Sequence, residues 1–181
     1  MNDRVLMTKN ELTALSKYAL LAKSSILEIG TFRGGATEIL ARATPDIAVW
    51  SIDVYGVPEV HTIAPNRIYG DYLINLNNAF LIVGLAERIA KYWNTELGML
   101  ILDGEHENKS PIRDFHDWAK FIIPKGYLIF HDAIVGKEYE SLFENRNITG
   151  FPDVWDAVQY AKNNGYSIVD QIDTMIILQK D

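Results

Sequence analysis

Residues 25 to 35 read Ser25-Ile26-Leu27-Glu28-Ile29-Gly30-Thr31-Phe32-Arg33-Gly34-Gly35, and this stretch indicates the fold class. Its first five residues form a mostly apolar run of strand length, which Gly30 ends. A helix is predicted from about Gly35 to Ala43, where Thr44-Pro45-Asp46 closes it. A buried strand, a glycine-rich turn and a helix in this order are typical of an α/β protein with a parallel sheet.

Apolar runs of strand length alternate with segments of helical period along the rest of the chain. Helices are predicted after the capping box Thr8-Lys9-Asn10-Glu11, over 71–85, from Ser110-Pro111 and over 152–164. Further strands are predicted over 47–53, 88–93, 98–102, 127–130, 166–169 and 174–178. The last two are expected to form a closing antiparallel pair, which makes seven strands in all.

The composition of the 181-residue chain predicts one globular domain over residues 1–181. The formal charge of −7 argues against nucleic acid and anionic membranes as partners. The absence of cysteine excludes a disulfide scaffold, a thiolate zinc site and a cysteine nucleophile. Because the sequence shows neither a signal-peptide pattern nor an apolar run of about 20 residues, we expect a cytoplasmic protein.

Four predicted strands end in polar or glycine-rich tips. In an open α/β sheet, ligands bind beyond the carboxyl ends of the strands. The tips are residues 28–35, Asp53, residues 103–106 and His131-Asp132. Because all four fall at the same edge of the predicted sheet, we expect one binding site there.

The first tip has the pattern Gly-x-x-x-Gly-Gly, which permits a tight turn and close approach of the backbone to a ligand. It lacks the Gly-x-Gly-x-x-Gly spacing of dinucleotide-binding proteins, which disfavours an NAD-dependent oxidoreductase. Asp53 follows about 20 residues later, and its two oxygens can accept both hydroxyls of a ribose. Together these features favour a nucleoside ligand, although each alone also fits an ordinary glycine turn and a capping or solvated aspartate.

Asp103 and His106 lie just beyond a buried strand, and Asp132 ends the neighbouring strand. Two carboxylates and an imidazole on adjacent tips suit a hard divalent cation such as Mg²⁺. Such a cation would lower the pKa of a bound hydroxyl, and His106 would be placed to accept the proton. The spacing fits equally well an Asp103 that caps the following turn and a His106 on the surface. His131 fits a metal ligand, a residue that supports a ligand, or a packed histidine.

Four stretches also carry a family resemblance: Ile26-Leu27-Glu28-Ile29-Gly30 with Gly34-Gly35, Ser51-Ile52-Asp53, Leu102-Asp103-Gly104-Glu105-His106 with Asp114, and Pro124-Lys125-Gly126 through Phe130-His131-Asp132. From about Ser25 to Leu178 the chain resembles class I S-adenosylmethionine (SAM)-dependent methyltransferases. Within them it resembles the group with macrocin-type sugar O-methyltransferases and cephalosporin-hydroxylase-like proteins. The resemblance implies a Rossmann-like, seven-stranded, mostly parallel sheet with helices on both faces and an antiparallel last strand.

The resemblance also implies roles for individual residues. The cofactor-binding residues it implies are Glu28, Gly30, Thr31, Phe32, Gly34, Gly35, Asp53 and Asp103. Asp103, His131 and Asp132 stand where related enzymes coordinate a divalent metal, and His106 stands where the sugar enzymes carry a histidine base. The implied activity is metal-assisted, SAM-dependent O-methylation of a small hydroxylated molecule, with Mg²⁺ as the expected metal.

The alternative function is a non-catalytic SAM-binding module that acts as a partner or sensor subunit. It would follow if the lack of a long N-terminal extension left the acceptor pocket incomplete. Residues 54–70 and 134–150 follow strand tips and are predicted to wall that pocket. Apolar residues of the N-terminal helix or the loops could support a homodimer.

Overall fold

The computed structural model describes residues 4–55, 73–133 and 150–181, and these residues form one helix-flanked sheet. Its strands are β1 Ser25–Ile29, β2 Val49–Asp53, β3 Ala79–Val83, β4 Leu97–Leu102, β5 Ile122–Phe130, β6 Tyr166–Ile172 and β7 Met175–Lys180. The helices are α1 Lys9–Ala19, α2 Gly35–Ala43, α3 Ala86–Ile89, α4 Ser110–Trp118 and α5 Pro152–Lys162, with a 3₁₀ turn at Ala119–Phe121. Within these ranges, no helix combines the length and apolarity needed to cross a membrane.

The strand order of the sheet is β3-β2-β1-β4-β5-β7-β6. β7 runs antiparallel to both of its neighbours, and the other pairs are parallel. This confirms the predicted Rossmann-like, mostly parallel sheet with an antiparallel last strand. The chain leaves β3 at one edge and returns as β4 beside β1, so the direction of winding reverses between β1 and β4. Such a reversal opens a crevice at the carboxyl ends of the two strands.

Alternate residues of the central strands pack on opposite faces of the sheet. In β4, Leu100 shares a buried cluster with Trp118 of α4. Met99 and Ile101 share the other cluster with Leu15 of α1. Burial of one large apolar side chain contributes roughly 1.5–3 kcal/mol. Since both faces are covered by helices, the central strands are nearly continuous apolar runs.

The capping box predicted at the start of α1 is present. Thr8 Oγ1 accepts a hydrogen bond from the backbone N–H of Glu11 at 3.2 Å, and Glu11 Oε2 accepts one from the N–H of Thr8 at 2.7 Å. The reciprocal pair satisfies two N–H groups that have no partner inside the helix. Helix α1 therefore begins where the sequence predicts.

Two predicted elements are wrong. The helix predicted over 71–85 is, within the described residues, strand β3, which pairs in parallel with β2. The strand predicted over 88–93 lies in α3 and the turn after it. The predicted number of seven strands is still right, because β3 takes the place of the strand that was predicted over 88–93. The apolar residues at 79–83 fit the period of a helix as well as that of a strand, and pairing with β2 decides their conformation.

Candidate active site

The register of the sheet brings the strand tips together. The N–H of Asp103 donates to the carbonyl of Ile29 at 2.9 Å, and the N–H of His131 donates to the carbonyl of Leu102 at 3.2 Å. On the other side, the N–H of Gly30 donates to the carbonyl of Ile52 at 2.9 Å. The ladder therefore continues one residue beyond each strand, and the four predicted tips lie side by side as expected.

A cavity of about 660 Å³ opens at this edge of the sheet. Its volume lies within the range of roughly 300–1,000 Å³ that is usual for small-molecule sites. The predicted site residues that line it are Glu28, Gly30, Thr31, Phe32, Asp53, Asp103, His106, His131 and Asp132. Gly34 and Gly35 are not among the residues that line the cavity.

The glycines of the turn make room for other parts of the chain. Gly30 has a φ of +98°, and a Cβ there would lie 2.0 Å from the carbonyl oxygen of Asp103. A Cβ on Gly35 would lie 2.6 Å from the carbonyl oxygen of Arg4, to which the N–H of Gly35 donates at 3.1 Å. The turn thus receives the β4 tip on one side and the N-terminal segment on the other.

Asp53 holds the loop around it by its carboxylate. Its Oδ2 accepts from the N–H of Phe32 at 3.0 Å, and its Oδ1 accepts from the N–H of Tyr55 at 3.2 Å. Phe32 adopts the left-handed conformation with a φ of 50° to make this contact. A carboxylate oxygen can accept more than one hydrogen bond, so these contacts are compatible with a further bond from a ligand hydroxyl.

Glu28 is a buried carboxyl at the base of the cavity, 1% exposed. It accepts hydrogen bonds from the hydroxyls of Thr37 at 2.5 Å and Ser51 at 2.6 Å. Burial raises the pKa of Glu28 to about 8 against these two bonds, and the charges of Asp103 and Asp53 raise it further. At neutral pH the side chain is therefore mainly protonated, which differs from the charged group that the residue type suggests.

Asp103, His131 and Asp132 form the one cluster of potential metal ligands found among the described residues. One ligand atom from each lies within 4.8 Å of the others. Nδ1 of His131 is 2.9 Å from Oδ1 of Asp103 and 3.4 Å from Oδ2 of Asp132. Asp132 has a φ of 56°, a conformation that is uncommon for residues other than glycine and clusters at functional sites.

The charges in this cluster shift one another's ionisation. Burial would raise the pKa of Asp103, but the neighbouring imidazoles of His131 and His106 lower it to about 2. Burial would lower the pKa of His131, but the charge of Asp103 and hydrogen bonds to Asp103, Asp132 and Glu11 hold it well above its usual value. Without a bound cation, His131 therefore carries the positive charge between the carboxylates.

His106 faces the same cluster. Its Nε2 lies 3.4 Å from Oδ1 of Asp103 and 3.9 Å from Oδ2 of Asp132. Its ring stacks on Phe151, with 4.7 Å between centroids and an interplanar angle of 21°. Nε2 is buried and has no hydrogen-bond partner in the described chain. The alternative of a surface-exposed His106 is therefore wrong.

The lining segments 4–6 and 84–87 were not predicted from the sequence, and neither were the lining residues Ser110, Arg113 and Phe151. Segment 84–87 could have been found from the sequence. The apolar run Ala79-Phe80-Leu81-Ile82-Val83 followed by Gly84 is typical of a strand, and the end of that strand would lie at the same edge of the sheet. No local pattern indicates segment 4–6. Of the predicted pocket walls, 56–70 and 134–149 lie outside the described residues, while Val54 lines the cavity.

Asp114 of α4 also lines the cavity and is 8% exposed. Burial raises the pKa of Asp114 to about 7, although the charge of Arg113 opposes the shift. The nearby charges of Asp117, Glu105 and Glu87 raise it further. Asp114 therefore changes its charge near neutral pH.

The strand order, the antiparallel β7 and the cavity where the winding reverses together define a class I SAM-dependent methyltransferase. The model of a protein family described as Methyltransferase domain matches residues 27–133, more than half of the chain. The protein belongs to this methyltransferase family.

Solved structures show the same fold. The O-methyltransferase NovP is 15% identical with a TM-score of 0.78, covering 99% of this chain and 83% of NovP. The SAH-bound methyltransferase PaMTH1 of Podospora anserina is 14% identical with a TM-score of 0.71, covering 97% and 80%. An O-methyltransferase from Bacillus cereus in complex with SAH is 18% identical with a TM-score of 0.67, covering 97% and 82%.

Proposed function

We propose that this methyltransferase methylates a hydroxyl oxygen of a small molecule, with His106 as the base and Asp103, His131 and Asp132 as ligands of a divalent cation. One observation carries the proposal. The buried Nε2 of His106 lies near two carboxylates and has no hydrogen-bond partner in the described chain. A buried polar atom of this kind supports a base whose partner is supplied by a bound acceptor hydroxyl.

The cofactor is assigned to the tips of β1, β2 and β4. Asp53 lines the cavity, and the two oxygens of its carboxylate suit the two hydroxyls of a ribose. Glu28, Gly30, Thr31, Phe32 and Asp103 line the same cavity, while Gly34 takes the left-handed conformation in the turn and Gly35 packs against Arg4.

The cluster fits a divalent cation. Nδ1 of His131 faces Asp103 and Asp132, while its Nε2 faces Glu11. Two carboxylate oxygens and one imidazole nitrogen suit Mg²⁺ or Mn²⁺, with water at the remaining positions. When bound, the cation would supply a positive charge that lowers the pKa of the acceptor hydroxyl.

The chain's own contribution to the reaction is orientation and proton removal. The acceptor oxygen forms a bond to the methyl carbon while the carbon–sulfur bond breaks, and the electrons of that bond remain on sulfur. The hydroxyl proton moves to Nε2 of His106, whose ring plane is held by Phe151. Because the methyl group is carried on a sulfonium, in-line placement and a positioned base account for the catalysis.

The test combines binding and turnover. SAM binding is measured by calorimetry, and methyl transfer to a panel of catechols and sugars is followed by mass spectrometry with Mg²⁺, Mn²⁺ or EDTA. We expect an O-methylated product whose yield depends on the metal. Tight SAM binding without transfer to any acceptor would instead favour the non-catalytic SAM-binding module.

A further inference from the structure

Glu11 is a buried carboxylate that reaches the proposed cation site from the N-terminal helix. It is 1% exposed, and its Oε2 lies 3.4 Å from Nε2 of His131, which is 120 positions away in sequence. The same oxygen accepts from the N–H of Thr8 at 2.7 Å. Oε1 accepts from the N–H of Thr174 at 3.0 Å and from its hydroxyl at 2.8 Å.

The capping box alone does not explain this burial. A capping glutamate needs only to reach the N–H of the residue before its helix, and it can do so at the surface. Here the carboxylate is turned inward, where an ionised group is costly unless it is paired and hydrogen-bonded. Burial would raise the pKa of Glu11, but the hydrogen bond and charge of His131, with hydrogen bonds from Thr8 and Thr174, lower it.

We infer that Glu11 is a positioning residue that fixes the ring orientation and tautomer of His131. With Nε2–H directed at Glu11, Nδ1 is the nitrogen that faces Asp103 and Asp132. A carboxylate behind a ligating histidine is a recurrent way to hold the ring and to raise its basicity. A bound cation would replace the proton on Nδ1, whereas the proton on Nε2 would stay.

The inference rests on the proposed function, and it gives α1 a part in that function. The described contacts join α1, the start of β7 and the tip of β5 through one side chain. Loss of the carboxylate would leave Nε2 without its acceptor, and Asp103 would then draw the remaining proton to Nδ1. That tautomer has no lone pair to offer a cation at Nδ1.

The first experiment titrates the full chain with Mn²⁺ in the absence of SAM, followed by electron paramagnetic resonance. We expect Glu11→Ala to weaken Mn²⁺ binding roughly 10- to 100-fold, as loss of such partners does elsewhere. The Mn²⁺ affinity of Glu11→Gln should lie between those of the wild type and Glu11→Ala, because its single amide oxygen cannot accept from all four donors that surround Glu11. Thr8→Ala is the matched control, since it removes the cap oxygen but leaves the contact between Glu11 and His131.

The second readout is a long-range ¹H–¹⁵N spectrum of the His131 ring, recorded at a pH high enough that the ring holds a single proton. Nε2 should carry the proton in the wild type and in Thr8→Ala, and should lose it in Glu11→Ala. Unchanged Mn²⁺ affinity in Glu11→Ala, or an equal loss in Thr8→Ala, would overturn the inference. If the wild type binds neither Mn²⁺ nor Mg²⁺, the metal part of the proposed function fails, and the spectrum alone decides the role of Glu11. If Glu11→Ala does not fold, Glu11→Gln against Thr8→Ala decides it.

Discussion

The carbonyl oxygen of Asp103 lies 2.0 Å from the position where a side chain on Gly30 would begin. Gly30 ends β1, and Asp103 follows β4, the neighbouring strand on the other side of the reversal in winding. The glycine turn and the tip that carries Asp103 and His106 are therefore packed as one unit. A change in one tip is expected to disturb the other.

We expect Gly30→Ala to lower the free energy of unfolding by at least about 3 kcal/mol, because it combines a positive φ with a clash against backbone. Chemical denaturation measures the change. Gly104→Ala is the control, since an added Cβ would meet Ile29 Cγ2 at 3.4 Å, an ordinary contact. Its expected change is below about 1 kcal/mol. Equal stability of the two variants would show that the contact between Gly30 and Asp103 is not needed.

Asp53→Ala should weaken SAH binding roughly 10- to 100-fold, since hydrogen bonds to a charged group contribute about 1.5–3 kcal/mol. Calorimetry with SAH measures the affinity, and thermal unfolding checks that the variant is folded. Asp46→Ala, an exposed residue before the other end of β2, serves as the control and should bind SAH normally. If the two variants bind SAH equally well, Asp53 has no role in holding the cofactor.

His106→Asn should lower kcat by roughly 10²- to 10⁴-fold, the usual contribution of a general base. SAH affinity should change little, because the proposed role of His106 lies with the acceptor. The exposed His116 on α4 provides the control, and His116→Asn should leave kcat unchanged. Full turnover by His106→Asn would remove the base assignment and leave the cofactor assignment in place.

Removal of divalent cations by EDTA should abolish most of the methyl transfer, and Mn²⁺ or Mg²⁺ should restore it. Asp132→Asn should weaken metal binding while SAH binding persists. Asparagine tolerates the left-handed backbone at this position, so the fold should be kept. Asp156→Asn, on the exposed face of α5, is the control for charge. Metal-independent turnover would contradict the role of the cation.

Asp114 should make stability depend on pH. Its pKa is about 7 in the folded protein against 3.8 for the ordinary residue, so the native state holds a proton that the unfolded chain loses earlier. Stability should therefore fall as pH rises from about 4 to 7 and then level off. Asp114→Asn should match the wild type near pH 4 and exceed it at pH 8 by on the order of 3 kcal/mol. Thermal unfolding at both pH values measures the difference.

Asp156→Asn is the control for this prediction, because it removes the same charge from an exposed helical position that does not contribute to the pKa shift of Asp114. It should not reproduce the pH-dependent gain in stability. A gain for Asp114→Asn that is equal at pH 4 and pH 8 would contradict the raised pKa of Asp114.

Features set by local preference were predictable from the sequence. The capping box at Thr8 and Glu11 and the turn at Gly30 depend on backbone conformations that only certain residues favour. The polar strand tips were also predictable, since a buried strand followed by charged residues must end at the sheet edge. The strand over Ala79–Val83 was missed because a short apolar run fits the period of a helix as well as that of a strand. Pairing with β2, which the local sequence does not show, decides its conformation.

The sequence by itself thus determined most of the strands and helices, the glycine turn and the set of polar tips that meet at one edge. Only the tertiary structure decided what those side chains face. Burial made Glu28 mainly neutral, stacking on Phe151 turned His106 inward, and packing of α1 brought Glu11 to His131. The reason is that these properties depend on burial and on neighbours far away in the chain, which local sequence does not specify.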